Sequence, residues 1–104
     1  MSAVYSTRFY VGDPTAPGAD VYTVPAGMVA VARNLSLVVG ASGATVALSD
    51  PVSLANVYRF TSTAANQYAF WSGDQVFPAG SVMHITVTTG SVYVYLSGFL
   101  LGAP

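Results

Sequence analysis

The 104-residue chain contains no cysteine, no lysine and no glutamate, and His84 is its single histidine. Without cysteine there is no disulfide framework, no thiolate nucleophile and no cysteine-based zinc site. Charge is scarce: Arg8, Arg33 and Arg59 are the bases and Asp13, Asp20, Asp50 and Asp74 the acids, 7% of residues in all, against about 25% in a typical soluble domain. Three scattered arginines at a net charge of -1 form no basic stripe, which excludes a phosphate-tracking nucleic-acid surface. No apolar run approaches the roughly 20 residues of a spanning helix: residues 28–40 and 93–101 are interrupted by Arg33, Asn34, Ser97 and Gly98. No membrane span is therefore expected. The first eight residues lack a basic stretch followed by an apolar one, so they do not read as a signal peptide.

The same scarcity removes most catalytic chemistry. A cupin-type metal centre needs several histidines and a glutamate on facing strands, and a serine nucleophile needs a base and a G-x-S-x-G elbow. His84 is the sole base, and Gly40-Ala41-Ser42-Gly43 is spaced wrongly for the elbow and reads as a hairpin loop. A phosphate cradle there would call for a lysine and a following helix. Each aspartate sits beside Gly, Pro or a turn, as in Asp13-Pro14 and Asp50-Pro51, so all four read as turn or strand-start residues rather than paired carboxylates or an EF-hand. A non-enzymatic chain with no cofactor and no metal is the expectation.

What the chain has is strand grammar. Runs of Val, Tyr, Thr and Phe alternate with Gly and Pro punctuation, and no segment carries a 3.6-residue apolar stripe. Strands are expected near residues 4–11, 21–24, 28–38, 44–48, 56–61, 68–71, 75–77, 81–88 and 91–96, about eight short strands with turns between them. Met83, Ile85 and Val87 form one inward face and Val92, Val94 and Leu96 another, with Tyr93 and Tyr95 pointing away; Thr89-Gly90 between them suits a tight hairpin. In residues 28–38 Arg33 breaks the alternation, which a bulge or an edge position would reconcile. Asp20 to Val29 and Asp74 to Val82 echo one another, each with a short strand, Pro-Ala-Gly and a longer strand. Each Pro-Ala-Gly is expected to be a tight turn, with Pro fixing φ at the first corner and Gly taking the positive-φ corner two positions later. The fold class is thus all-β, an antiparallel β-sandwich of jelly-roll type in one domain spanning residues 1–104.

A small domain with few charges must cover itself with Ser, Thr, Gly and apolar atoms. Such a surface fits a subunit buried by neighbours in a homo-oligomer or larger assembly, or else a neutral Ser/Thr-coated extracellular domain. Tyr58, Tyr68, Phe70 and Trp71 gather in the middle third. Such rings can stack on sugar faces or anchor a protein interface; Tyr68 and Phe70 share one face of their strand and Trp71 takes the other, either in the core or in an interface or ligand role. The chain then runs through Tyr93 and Tyr95 into apolar Phe99, Leu100 and Leu101, a segment expected to pack on the sandwich or on a neighbour.

Tyr22-Thr23-Val24-Pro25-Ala26-Gly27, the long Val-rich strand, Trp71-Ser72-Gly73-Asp74-Gln75-Val76, Pro78-Ala79-Gly80 and Val92-Tyr93-Val94-Tyr95-Leu96-Ser97-Gly98-Phe99 together resemble small virion proteins of tailed bacteriophages of actinobacteria. The resemblance covers most of the chain. It implies a β-sandwich located in the virion that decorates a capsid or joins a tail as a symmetric oligomer, a trimer in the first instance, with major capsid or tail proteins as partners. It carries over no catalytic residue. A tail-side member would turn the aromatic cluster toward a host-surface glycan; the alternative from a different class is a carbohydrate-binding module that uses Trp71 and nearby tyrosines as a stacking platform.

Overall fold

The computed structural model describes residues 4–51 and 55–102; Ala103 and Pro104 of the apolar C-terminal run and the first three residues lie outside them. Eight strands are present: β1 (Val4–Gly12), β2 (Gly18–Thr23), β3 (Met28–Val39), β4 (Thr45–Asp50), β5 (Ala55–Thr61), β6 (Gln67–Phe77), β7 (Val82–Val87) and β8 (Val92–Gly102). They form two antiparallel four-stranded sheets, in the orders β1-β8-β3-β6 and β2-β7-β4-β5. The pairs β1–β8, β2–β7, β3–β6 and β4–β5 are the rungs of one long antiparallel ribbon rolled over itself, which is the jelly-roll arrangement.

Alternation decides which side chains meet inside. Leu35, Leu37 and Val39 of β3 and Val92, Val94 and Leu96 of β8 point inward from one sheet. Val46 and Leu48 of β4 and Met83, Ile85 and Val87 of β7 point inward from the other. Each such side chain, fully removed from water, contributes about 1.5–3 kcal/mol. At the β1–β2 side of the sandwich, Phe9 meets Tyr22 with ring centroids 4.9 Å apart. At the opposite side Tyr58, Phe60 and Trp71 are half-buried and pack against the core from the edge strands β5 and β6.

The two Pro-Ala-Gly echoes are the corners where the ribbon crosses between sheets. Met28 N–H donates to the Pro25 carbonyl at 3.2 Å and Ser81 N–H to the Pro78 carbonyl at 3.0 Å, with Gly27 and Gly80 at φ 76 and 83. That is type II geometry with glycine at the positive-φ corner. Proline sits one place earlier than expected, supplying the accepting carbonyl rather than the first corner. The turns also bond to each other, Gly80 N–H to the Val24 carbonyl at 3.0 Å and Val24 N–H to the Ser81 carbonyl at 2.9 Å.

Three expectations need correction. Thr89-Gly90 does not close a hairpin, because β7 and β8 belong to different sheets; Gly40 to Gly43 likewise joins β3 to β4 across the sandwich. Residues 68–71 and 75–77 are one strand, β6, interrupted only by a register shift. Phe99, Leu100 and Leu101 pack on the sandwich as part of its strand β8, which continues through them at the centre of its sheet, paired with β1 and β3. The anomaly at Arg33 is a bulge in an interior strand, since Ala32 pairs with Gly98 and Asn34 with Ser97. It reverses the facing of β3, so that Ala30 and Ala32 are core and Val29 and Val31 point out.

Ser62 pins the corner between β3 and β4 to the one between β5 and β6. Its buried hydroxyl accepts from Ala44 N–H at 3.1 Å and donates to the Ala41 carbonyl. Ser62→Ala leaves both groups without this partner and is expected to cost about 1–3 kcal/mol in chemical denaturation.

Candidate docking surface

The two outer faces differ in kind. On the β2-β7-β4-β5 sheet, the cross-strand rows run Gly18, Thr86, Ala47, Arg59 and Asp20, His84, Ser49, Asn56. Thr45 and Thr61 share a hydroxyl hydrogen bond of 2.9 Å, and His84 Nδ1 lies 2.6 Å from Asp20 Oδ1. This face is small, polar and largely self-satisfied. Asp20 and Asp74 thus lie within strands, each beside a partner on a neighbouring one, rather than at strand starts. Among the described residues no group of three metal-ligating side chains gathers around one point.

The outer face of the β1-β8-β3-β6 sheet carries all six exposed large apolar side chains among the described residues: Val11, Tyr68, Phe70, Val76, Tyr93 and Tyr95. Register aligns them. Tyr68, Val38 and Tyr93 form one row, and Phe70, Ser36, Tyr95 and Val11 the next. Tyr68 is 68% exposed and Phe70 57%, so more than half of each aromatic side chain stands in water. Between these rows Ser36, Leu37, Val38, Tyr68, Tyr93 and Tyr95 line a shallow cleft of about 330 Å³.

A polar belt crosses the sheet below the aromatic rows, composed of Ser72, Asn34, Ser97 and Arg8. The bulges at Phe9, at Arg33 and at Gly73-Asp74 lie along this belt. Arg33 Nε is 2.8 Å from Asp74 Oδ1, and its guanidinium lies over the Phe99 ring at 5.5 Å, a cation–π contact. Beyond the belt Val76, Val31 and Phe99 form a second apolar row, followed by Val29 and Leu101.

The structure therefore brings together Tyr68, Tyr93, Tyr95, Phe99 and Leu101 on one outer face. It separates Trp71 and Leu100, which are half-buried against the core on the inner side. Sequence reasoning overlooked Val11, Val38, Val76 and the Arg8–Arg33–Asp74 belt. The parity of β3 would have shown Val38 outward once the bulge at Arg33 was fixed.

No family model and no curated protein matches the chain. Among solved structures it is similar to a chain from infectious bursal disease virus, Gx strain, at 12% identity, covering 98% of this chain and 32% of that one, with a TM-score of 0.46. It is similar also to a mutant VP2 protein of infectious bursal disease virus from derived T=1 particles, at 13% identity, 98% and 32% coverage and a TM-score of 0.45. The chain spans about a third of the length of these proteins.

Proposed function

We propose that this chain is a non-enzymatic structural subunit of a virion, a capsid decoration or minor tail protein whose apolar contact surface is the outer face of the β1-β8-β3-β6 sheet. The observation that supports this is the concentration of every exposed large apolar side chain among the described residues on one sheet, beside an opposite face on which threonine, serine and alanine stand with Asp20, His84, Asn56 and Arg59. Aromatic rings grouped around a small polar belt containing arginine have the composition of a contact surface. The partners are copies of the chain itself, for which a trimer is one closed arrangement, and major capsid or tail proteins. Binding to the assembled shell stabilises it by mass action. Mass spectrometry of purified particles of the virus that encodes the chain should find it in fixed proportion to the shell protein. Its absence from particles would overturn the assignment.

The cleft supports a second reading, a site for a host-surface glycan. Its volume is at the lower end of small-ligand sites, and three tyrosines offer both ring faces and hydroxyls. Trp71 does not line it, so the stacking platform would be Tyr68, Tyr93 and Tyr95. Titration with a glycan panel, read by tyrosine fluorescence, should give a saturable change that Tyr93→Ala abolishes. A flat response to every glycan removes this reading.

A further inference from the structure

Resting on the reading of this face as a contact surface, we infer that its occupant is a second copy of the same chain, packed face to face about a two-fold axis parallel to the strands. Such an axis reverses strand order while keeping position along the strands. The β1 edge of one copy then lies over the β6 edge of the other, aromatic rows meet aromatic rows, and belt meets belt. The charges fit this orientation. Arg8 stands at the β1 end of the belt and Asp74 at the β6 end, one step along the strand from the row that Arg8 shares with Ser72. Arg33 engages Oδ1 of Asp74, yet the Asp74 side chain remains 69% exposed, and among the described residues Arg8 has no ion-pair partner. The two-fold brings Arg8 of each copy toward Asp74 of the other, twice, across sheets packed about 10 Å apart. A two-fold in the same plane but perpendicular to the strands would set Arg8 against Arg8 and the aromatic rows against the smaller apolar patch.

Two further features favour the face over an edge. All four edge strands carry a bulge, at Phe9, Val21, Val57 and Gly73-Asp74, and bulges discourage edge-to-edge pairing. The face, four strands wide at about 4.8 Å spacing and about 30 Å long, buries about 1,100 Å² in total when two copies close, above the roughly 1,000 Å² that a biological interface should clear and just under the roughly 1,200 Å² at which standard stable interfaces begin.

The test uses analytical ultracentrifugation of the full chain. Wild type should be a monomer–dimer system, and Arg8→Asp and Asp74→Arg should each raise the dimer Kd at least about tenfold, because each homodimer then opposes like charges twice. An equimolar mixture of the two variants should dimerise about as tightly as wild type, since the mixed pair restores both opposite-charge contacts and shows that both variants are folded. Variants that stay apart in the mixture, a trimer, or a wild-type chain that is monomeric at every concentration would overturn the two-fold pairing. In the monomeric case the docking proposal would still stand or fall by protection of this face in purified particles.

Discussion

Replacing Gly98 by valine is expected to destabilise the chain by about 3 kcal/mol or more, the upper end of the usual cost of overpacking. Gly98 sits where β8 passes the Arg33 bulge of β3. A Cβ added there would run into the Val31 carbonyl oxygen and stand 3.0 Å from both the Arg33 amide nitrogen and the Phe9 ring. Two of these neighbours are backbone, so the clash cannot be relieved by a rotamer change. The bulges at Phe9 and Arg33 bring those atoms close, and the same bulges set the polar belt between the two apolar patches. Stability and the design of the docking face therefore meet at one residue. Gly27→Ala provides the contrast: nothing lies within 4 Å of its added Cβ, and only the positive φ of 76 is penalised, at about 1–2 kcal/mol. Urea denaturation, with an unchanged m-value in both variants, separates the two.

The second large effect is on association rather than stability. Tyr93→Ser combined with Tyr95→Ser should weaken docking by about 100-fold or more, because central aromatic residues of an interface commonly contribute about 2 kcal/mol or more each. The fold should lose less than about 1 kcal/mol per site. Both side chains point outward, and what they contribute within the chain is cross-strand contact, Tyr93 with Val38 and Tyr95 with Ser36 and Val11. Binding measured alongside thermal denaturation checks this. A double variant that binds as wild type does would remove these tyrosines from the contact surface.

Much of this face could be read from alternation alone, because a period of two is a local property of each strand. Tyr93 and Tyr95 opposed to Val94 and Leu96, and Tyr68 with Phe70 opposed to Trp71, follow directly from that rule. Sheet membership could not be read in this way. Sequential strands pair or neighbour in about two-thirds of cases, but in this ribbon β4–β5 is the only consecutive pair that is hydrogen-bonded among the described strands, and Val4 finds its partner at Leu101. The hairpin expected at Thr89-Gly90 failed for that reason. The echo of Pro25-Ala26-Gly27 in Pro78-Ala79-Gly80 revealed two turns. Their mutual hydrogen bonds depend on the whole ribbon having rolled up. The polar belt was hidden by the bulges, since Arg8, Arg33 and Asp74 come from three strands whose registers shift independently.

The central claim is that one outer face is covered in the assembled state and the other is not. Hydroxyl-radical footprinting, comparing the dilute chain with its assembled form, tests that directly. Tyr68, Phe70, Tyr93 and Tyr95 are expected to become protected while His84, on the threonine-rich face, stays as reactive as in the dilute chain. Protection of His84 with the four aromatic residues still reactive would contradict it.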